Sequence, residues 1–147
     1  LVGTIRGKQS RLAVIDISNP AQPRLTTQVF GPEIGHVSGQ VLDELYYSVN
    51  WDKNAFLVFD VADAGNPKLY AKLIDKRLGA PNRCVVSGDR AYLPMVDGNG
   101  IAVVDISDQE KPKFVTSFRD NVLMQKTFSD LLAFDDFCVE SNASIHG

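Results

Sequence analysis

Three segments of this 147-residue chain are copies of one another. RLAVIDISNPAQPRL (residues 11–25), AFLVFDVADAGNPKL (55–69) and GIAVVDISDQEKPKF (100–114) each carry an apolar run, an Asp, a Pro seven residues later and then a basic residue. The Asp residues are Asp16, Asp60 and Asp105; the Pro residues are Pro23, Pro67 and Pro112. The Asp-to-Asp spacings are 44 and 45 residues. A fixed period of that length marks a repeat architecture, in which each unit buries its apolar faces against its neighbours.

Phasing on the Asp lets the rest be read in register. Tyr47 falls opposite Tyr92, VLDELYYSV opposite VSGDRAYLP, and LLAFDDFCVE repeats the same apolar–turn–apolar pattern near the end. Each unit then holds four short segments: residues 37–42, 45–51, 56–61 and 68–74 in one, and 82–87, 90–96, 101–106 and 113–118 in the next. They are rich in Val, Ile, Leu, Phe and Tyr and are bounded by Gly, Asn, Asp and Pro, as strands and their turns are. A sustained 3.6-residue periodicity, which helical solenoids need, is missing. Four strands in 44 or 45 residues make one blade of a β-propeller, so the chain reads as all-β, built of four-stranded antiparallel blades. The phasing divides it into a partial blade (1–31), two whole blades (32–76 and 77–120) and a second partial blade (121–147).

The Asp-bearing strand is apolar on both faces in LAVIDI, FLVFDV and IAVVDI, as expected of a strand covered from both sides by stacked blades. The Asp itself is expected to accept backbone N–H groups two or three residues on and so close a buried turn. Repetition in every unit suits that structural role better than catalysis. The following Pro, with Arg24, Lys68 or Lys113, sits where the last strand begins and discourages pairing of the blade's outer edge with strangers.

This pattern resembles the LVIVD-repeat family of β-propellers, whose apolar-Asp motif is matched here by AVID, LVFD and AVVD. The DIS-x-x-x-x-P continuation and a Gly-to-Tyr step from Gly88 to Tyr92 carry the likeness further. The second unit departs from it, with ADAGNP for SDQEKP and LDE for SGD, both turn substitutions. The resemblance implies a propeller fold and a secreted or cell-surface setting, and it assigns no chemistry.

Composition narrows the function classes. The chain is 44% hydrophobic and 22% charged, with a net charge of −3, and its scattered basic residues argue against nucleic acid as a main partner. No apolar run approaches the ~18 residues of a transmembrane helix. Cys84 and Cys138 hold non-equivalent places in the repeat and read as buried free thiols. With only His36 and His146 present, a three-histidine metal site within one subunit is excluded, and no metal or cofactor is assigned. Gly-x-Ser-x-Gly, His-Glu-x-x-His, Walker and dinucleotide motifs are absent from the sequence. Asp97-Gly98-Asn99-Gly100 reads as a hairpin turn, Arg6, Lys8 and Arg11 as a basic hairpin, Asp135, Asp136 and Glu140 as a local acidic group, and Asn142-Ala143-Ser144 as a sequon.

Scaffold repeats, whereas function varies. In propellers the channel mouth is lined by the loops leading into the first strands. Phasing places His36, Val37 and Ser38 there in one unit, Pro81, Asn82 and Arg83 in the next, and Thr127, Phe128 and Ser129 in the last. His36, Ser38, Asn82 and Arg83 are the candidate ligand-binding residues, since a guanidinium, an amide and an imidazole together suit an anion or carboxylate. Two readings stay open: a non-enzymatic scaffold binding a protein, glycan or other surface ligand, or an enzyme subunit whose channel-mouth site is completed by another chain or cofactor. The strands amount to about three blades, fewer than a closed ring. A second copy, or the remaining blades of a longer chain, is therefore expected to complete it.

Overall fold

The computed structural model describes residues 1–5, 10–35, 39–97, 100–119, 129–134 and 137–142. These form antiparallel sheets in chain order. The first is β1 (Val2–Ile5), β2 (Arg11–Asp16) and β3 (Arg24–Phe30). The second is β4 (Gln40–Leu42), β5 (Leu45–Asn50), β6 (Ala55–Asp60) and β7 (Lys68–Ile74). The third is β8 (Val85–Ser87), β9 (Arg90–Met95), β10 (Gly100–Asp105) and β11 (Lys113–Arg119). A β12 (Ser129–Phe134) and β13 (Phe137–Asn142) hairpin follows. Each sheet is a simple meander, so the strands are the blades of a partial β-propeller, and a single 3₁₀ turn (Lys76–Leu78) bridges the second and third sheets.

The repeat motif builds the same corner three times. The Asp16 carboxylate accepts the N–H of Ser18 at 2.8 Å, Asp60 that of Ala62 at 3.0 Å, and Asp105 that of Ser107 at 2.9 Å. Three residues on, a second turn of the same type follows: Asn19 accepts from Ala21, Asp63 from Gly65 and Asp108 from Glu110. A short side-chain oxygen stands in for a backbone acceptor in both turns, which reverses the chain without a sheet ladder. The returning strand then carries one unpaired residue, Thr26, Tyr70 or Val115, where the register slips beside Val14, Val58 or Val103. Bulges at this place twist the outermost strand and blunt it as a template for foreign strands. Pro67 and Pro112 are buried at the start of that strand, whereas Pro23 is exposed.

Stacking supplies the core. One face of the second sheet (Tyr46, Leu57, Phe59) packs with Leu12 and Ile34 against the first sheet. The opposite face (Tyr47, Phe56, Val58) packs with Leu93, Ala102 and Val104 of the third. The β6 residues from Ala55 to Phe59 are all buried, so both faces of that strand are covered as the apolar run predicts. At β10 the expectation fails in part: burial alternates, with Ala102 and Val104 inside but Ile101 and Val103 half-buried. A strand reads as doubly buried only where a sheet lies on each side, and β12 lies chiefly against β8 and β9.

Two further expectations are corrected. The Asp-capped turns are exposed, not buried, because they project beyond the stacked faces. The innermost strand of the third sheet is shorter than the sequence suggests, starting at Val85, with residue 81 reduced to an isolated bridge to Met95; β4 starts at Gln40, and residues 37 and 38 lie outside the described residues. Pro81 has no N–H to give a ladder, which weakens pairing there. Cys84 is a buried free thiol.

Candidate functional site at the inner strands

The inner strands lie side by side, β4 against β8 and β8 against β12, as the axis-lining strands of neighbouring blades do. An inner strand has an unpaired edge, and its N–H groups need acceptors. The Gln40 side chain meets part of that need: its Oε1 accepts the N–H of Val86 at 2.9 Å, tying β4 to β8.

The connection leading into β8 is held rigidly. Asp75 caps the 3₁₀ turn by accepting the N–H of Arg77 at 2.9 Å, and its carboxylate also takes the Arg77 guanidinium. That side-chain hydrogen bond, and then the backbone one, hold the Asp75 carboxyl below the usual carboxylate range. The same guanidinium lies 4.2 Å from the ring centre of Phe114, which docks the turn on the third sheet. Leu78 plugs the core, and Gly79 and Ala80 then both take left-handed backbone angles (φ 58° and 52°). Ala80 donates to the side chain of Asn54 at 2.6 Å, while Val96 and Asp97 donate to the carbonyls of Ala80 and Gly79. The N–H of Asn82 is given to the Pro94 carbonyl at 3.1 Å.

This pinning delivers Asn82 and Arg83 side by side at the approach to β8. Asn82 is 8% exposed, and its side-chain Oδ1 is buried with no hydrogen-bond partner among the described residues. Buried amide oxygens are seldom left so, because desolvation without a partner costs on the order of 1–3 kcal/mol. Arg83 is half-buried. Behind them the Cys84 thiol is fully enclosed, and burial pushes its pKa up. The other half of the predicted lip, His36 and Ser38, lies outside the described residues, as do Val37, Thr127 and Phe128, while Ser129 opens β12. Thus Asn82 and Arg83 stand together, next to the strand that Gln40 binds.

The remaining sequence candidates resolve into structure. Asp16, Asp60 and Asp105 cap exposed turns, far along their blades from the lip. The Asp16 carboxyl is held low by the backbone and then the side-chain hydrogen bond of Ser18, and Asp105 likewise by those of Ser107. Asp97 belongs to the β9–β10 turn, whereas Gly98 and Asn99 lie outside the described residues. Arg11 stands in β2 with its guanidinium 5.9 Å from the Phe30 ring, and Arg6 and Lys8 fall outside the described residues. Glu140, Cys138 and Asn142 lie in β13, while Asp135, Asp136, Ala143, Ser144 and His146 are not among the described residues. Among the described residues, no three His, Cys, Asp or Glu side chains come together as a metal site would need.

Several residues that organise the site escaped the sequence reading. Asn54 joins the β5–β6 turn to the connection at Ala80, and its counterpart one period on is Asn99. Asn19, Asp63 and Asp108 build the second turn of each corner and recur three residues after each repeat Asp. Both signals were present in the phasing. Gln40 carries none, because it has no counterpart.

The LVIVD repeat matches the chain at residues 7–30 and 79–120. A search among curated proteins gives no match. The matched segments take in β2 and β3 and the whole third sheet, and the second sheet between them has the same strand order, bulge and paired turns. The chain carries LVIVD repeats in these segments, folded as propeller blades.

Proposed function

We propose that the chain is a non-enzymatic propeller scaffold that binds a protein, glycan or other surface ligand through the lip of its inner strands, in a secreted or cell-surface setting. The observation that carries this reading is the buried, unpartnered amide oxygen of Asn82 next to the half-buried Arg83. An acceptor and a cationic donor on one rigid connection suit a ligand that offers a hydroxyl beside a carboxylate, as acidic sugars do. The scaffold side rests on the carboxylates. The shifts at Asp16, Asp75 and Asp105 all run downward, which suits ionised turn caps and not groups poised to give a proton.

Binding of neutral and uronate-bearing oligosaccharides, measured by calorimetry, tests the proposal. Asn82→Ala and Arg83→Ala are expected to weaken uronate binding at least ~10-fold with melting temperatures nearly unchanged. Binding that ignores both substitutions would defeat the lip assignment, and turnover of a bound sugar would favour an enzyme.

A further inference from the structure

The meander sorts the charges of the second and third sheets by end. In each, the turn between the first two strands and the Asp corner lie together at one end, where Val61 donates to the carbonyl of Glu44 and Ile106 to that of Asp89. The turn between the middle strands and the connections between sheets lie together at the other. There Asn50 donates to the carbonyl of Glu33 at 2.9 Å, and Ala80 to the side chain of Asn54.

The two ends differ in sign. At the corner end Asp43, Glu44, Asp63, Asp89, Asp108 and Glu110 are all exposed, beyond the capping Asp60 and Asp105. Lys68, Lys111, Lys113 and Arg90, the last 3.1 Å from Asp105, are too few to balance them. At the connection end Lys53, Lys72, Lys76, Arg77, Arg83 and Arg119 stand against Glu33, Asp52, Asp75 and Asp97. The net charge of −3 thus conceals a basic end.

Two of the carboxylates at this end are already engaged. Glu33 lies 3.9 Å from the Lys53 ammonium and 3.6 Å from that of Lys72, so the trio stays positive. Asp75 holds Arg77, and Lys76 beside them is exposed with no ion pair among the described residues. Half-buried Trp51 opens the same turn as Lys53, and an indole offers an apolar face on which a sugar ring can rest. The connection that carries Lys76 leads inward to Asn82, whose amide oxygen is buried without a partner among the described residues.

We infer that the connection end is a track for an extended acidic polysaccharide, which enters the lip at Asn82 and Arg83 and runs outward past Lys76 to the Glu33, Lys53 and Lys72 cluster. This rests on the lip reading and deepens it: the lip takes one sugar, whereas basic groups spaced along an exposed connection suit an anion repeated along a chain. A uronate polymer offers hydroxyls and a carboxylate on every ring, which matches the acceptor at Asn82 better than a nucleic acid does. The acidic corner end repels the same polymer and so sets the face on which it lands.

Calorimetry with oligogalacturonates of two and eight residues tests this. The octamer is expected to bind at least ~30-fold more tightly than the dimer, more than the extra frames of a longer chain supply, and the advantage should shrink as salt shortens the Debye length below ~10 Å. Lys72→Gln and Lys76→Gln should each remove much of that advantage and leave dimer binding unchanged, with melting temperatures as in wild type. If Lys72→Gln disturbs Glu33, Lys76→Gln carries the test alone. Lys111→Gln, at the corner end, should change neither. An octamer no tighter than the dimer, or one indifferent to both lysines, overturns the track. So does an octanucleotide that binds as tightly with the same lysine dependence. Octamer binding that needs Lys76 but not Asn82 supports the track and defeats the lip, so the two readings fail separately.

Discussion

The side-chain oxygen of Asn54 accepts the backbone N–H of Ala80 at 2.6 Å, and both residues hold left-handed backbone angles, φ 50° and 52°. Asn54 ends the β5–β6 turn of one blade, and Ala80 lies on the connection that starts the next. This one bond fixes the approach to β8, and so the place of Asn82 and Arg83. The Asn54 carbonyl adds a second tie, accepting the N–H of Asp75 at 3.0 Å.

Asn54→Ala should therefore cost about 2–4 kcal/mol, because Ala is strained in the left-handed region and the N–H of Ala80 loses its acceptor. Asn54→Asp keeps both the acceptor and the tolerance and should cost less than about half of that. Ala80→Gly trades left-handed strain for chain entropy and should fall within about 0.5 kcal/mol of wild type. Chemical denaturation of the three variants measures all of this. An Asn54→Ala protein as stable as wild type would remove the bond from the account.

Removing a repeat Asp should damage folding mildly and leave ligand binding alone. Asp105→Ala loses the hydrogen bonds from Ser107 on an exposed turn and should lower the melting temperature by only about 2–5 °C. The pH dependence has a definite sign. The folded carboxyl titrates below its ordinary 3.8, chiefly through the backbone hydrogen bond from Ser107. Its stabilisation is therefore fully present above that pH and is lost as pH falls through the lower folded value. Asp105→Asn keeps a turn-closing oxygen but cannot titrate, so its melting temperature should fall less steeply than wild type below pH 3.8. Parallel curves would refute the assignment.

Asn82→Ala should leave thermodynamic stability within about 1 kcal/mol of wild type, since it removes a buried acceptor that has no partner among the described residues. Urea unfolding decides this. A loss of several kcal/mol would show that the amide holds the fold together, and the lip would need another explanation.

Cys84 is enclosed, and burial raises its thiol pKa, so the reactive thiolate is doubly scarce. Alkylation mapped by mass spectrometry should leave Cys84 unmodified in the native chain at pH 8 and label it fully in denaturant. Rapid native labelling at this position would mean that the junction between the second and third sheets opens readily.

The sequence by itself determined the repeat, its all-β character and the corner at each Asp. Those rest on contacts a few residues long: Asp105 reaches Ser107 and Asp108 reaches Glu110 whatever lies further along the chain. The period likewise made Tyr47 the counterpart of Tyr92, and in the sheets each stands opposite a Val of the Asp-bearing strand, Val58 and Val103. Tertiary structure decided what those strands meet. FLVFDV and IAVVDI read alike, yet Phe56 is buried and Ile101 half-exposed, because burial depends on whether a further sheet stands on that side. The lip was legible only as a position in the phasing. That Asn82 is buried with an unanswered oxygen, while Gln40 and Asn54 are spent on holding neighbouring blades together, depends on contacts across 26 and 46 residues of chain. Local patterns fix local turns, whereas a side chain's partner in another blade is set by how the sheets stack.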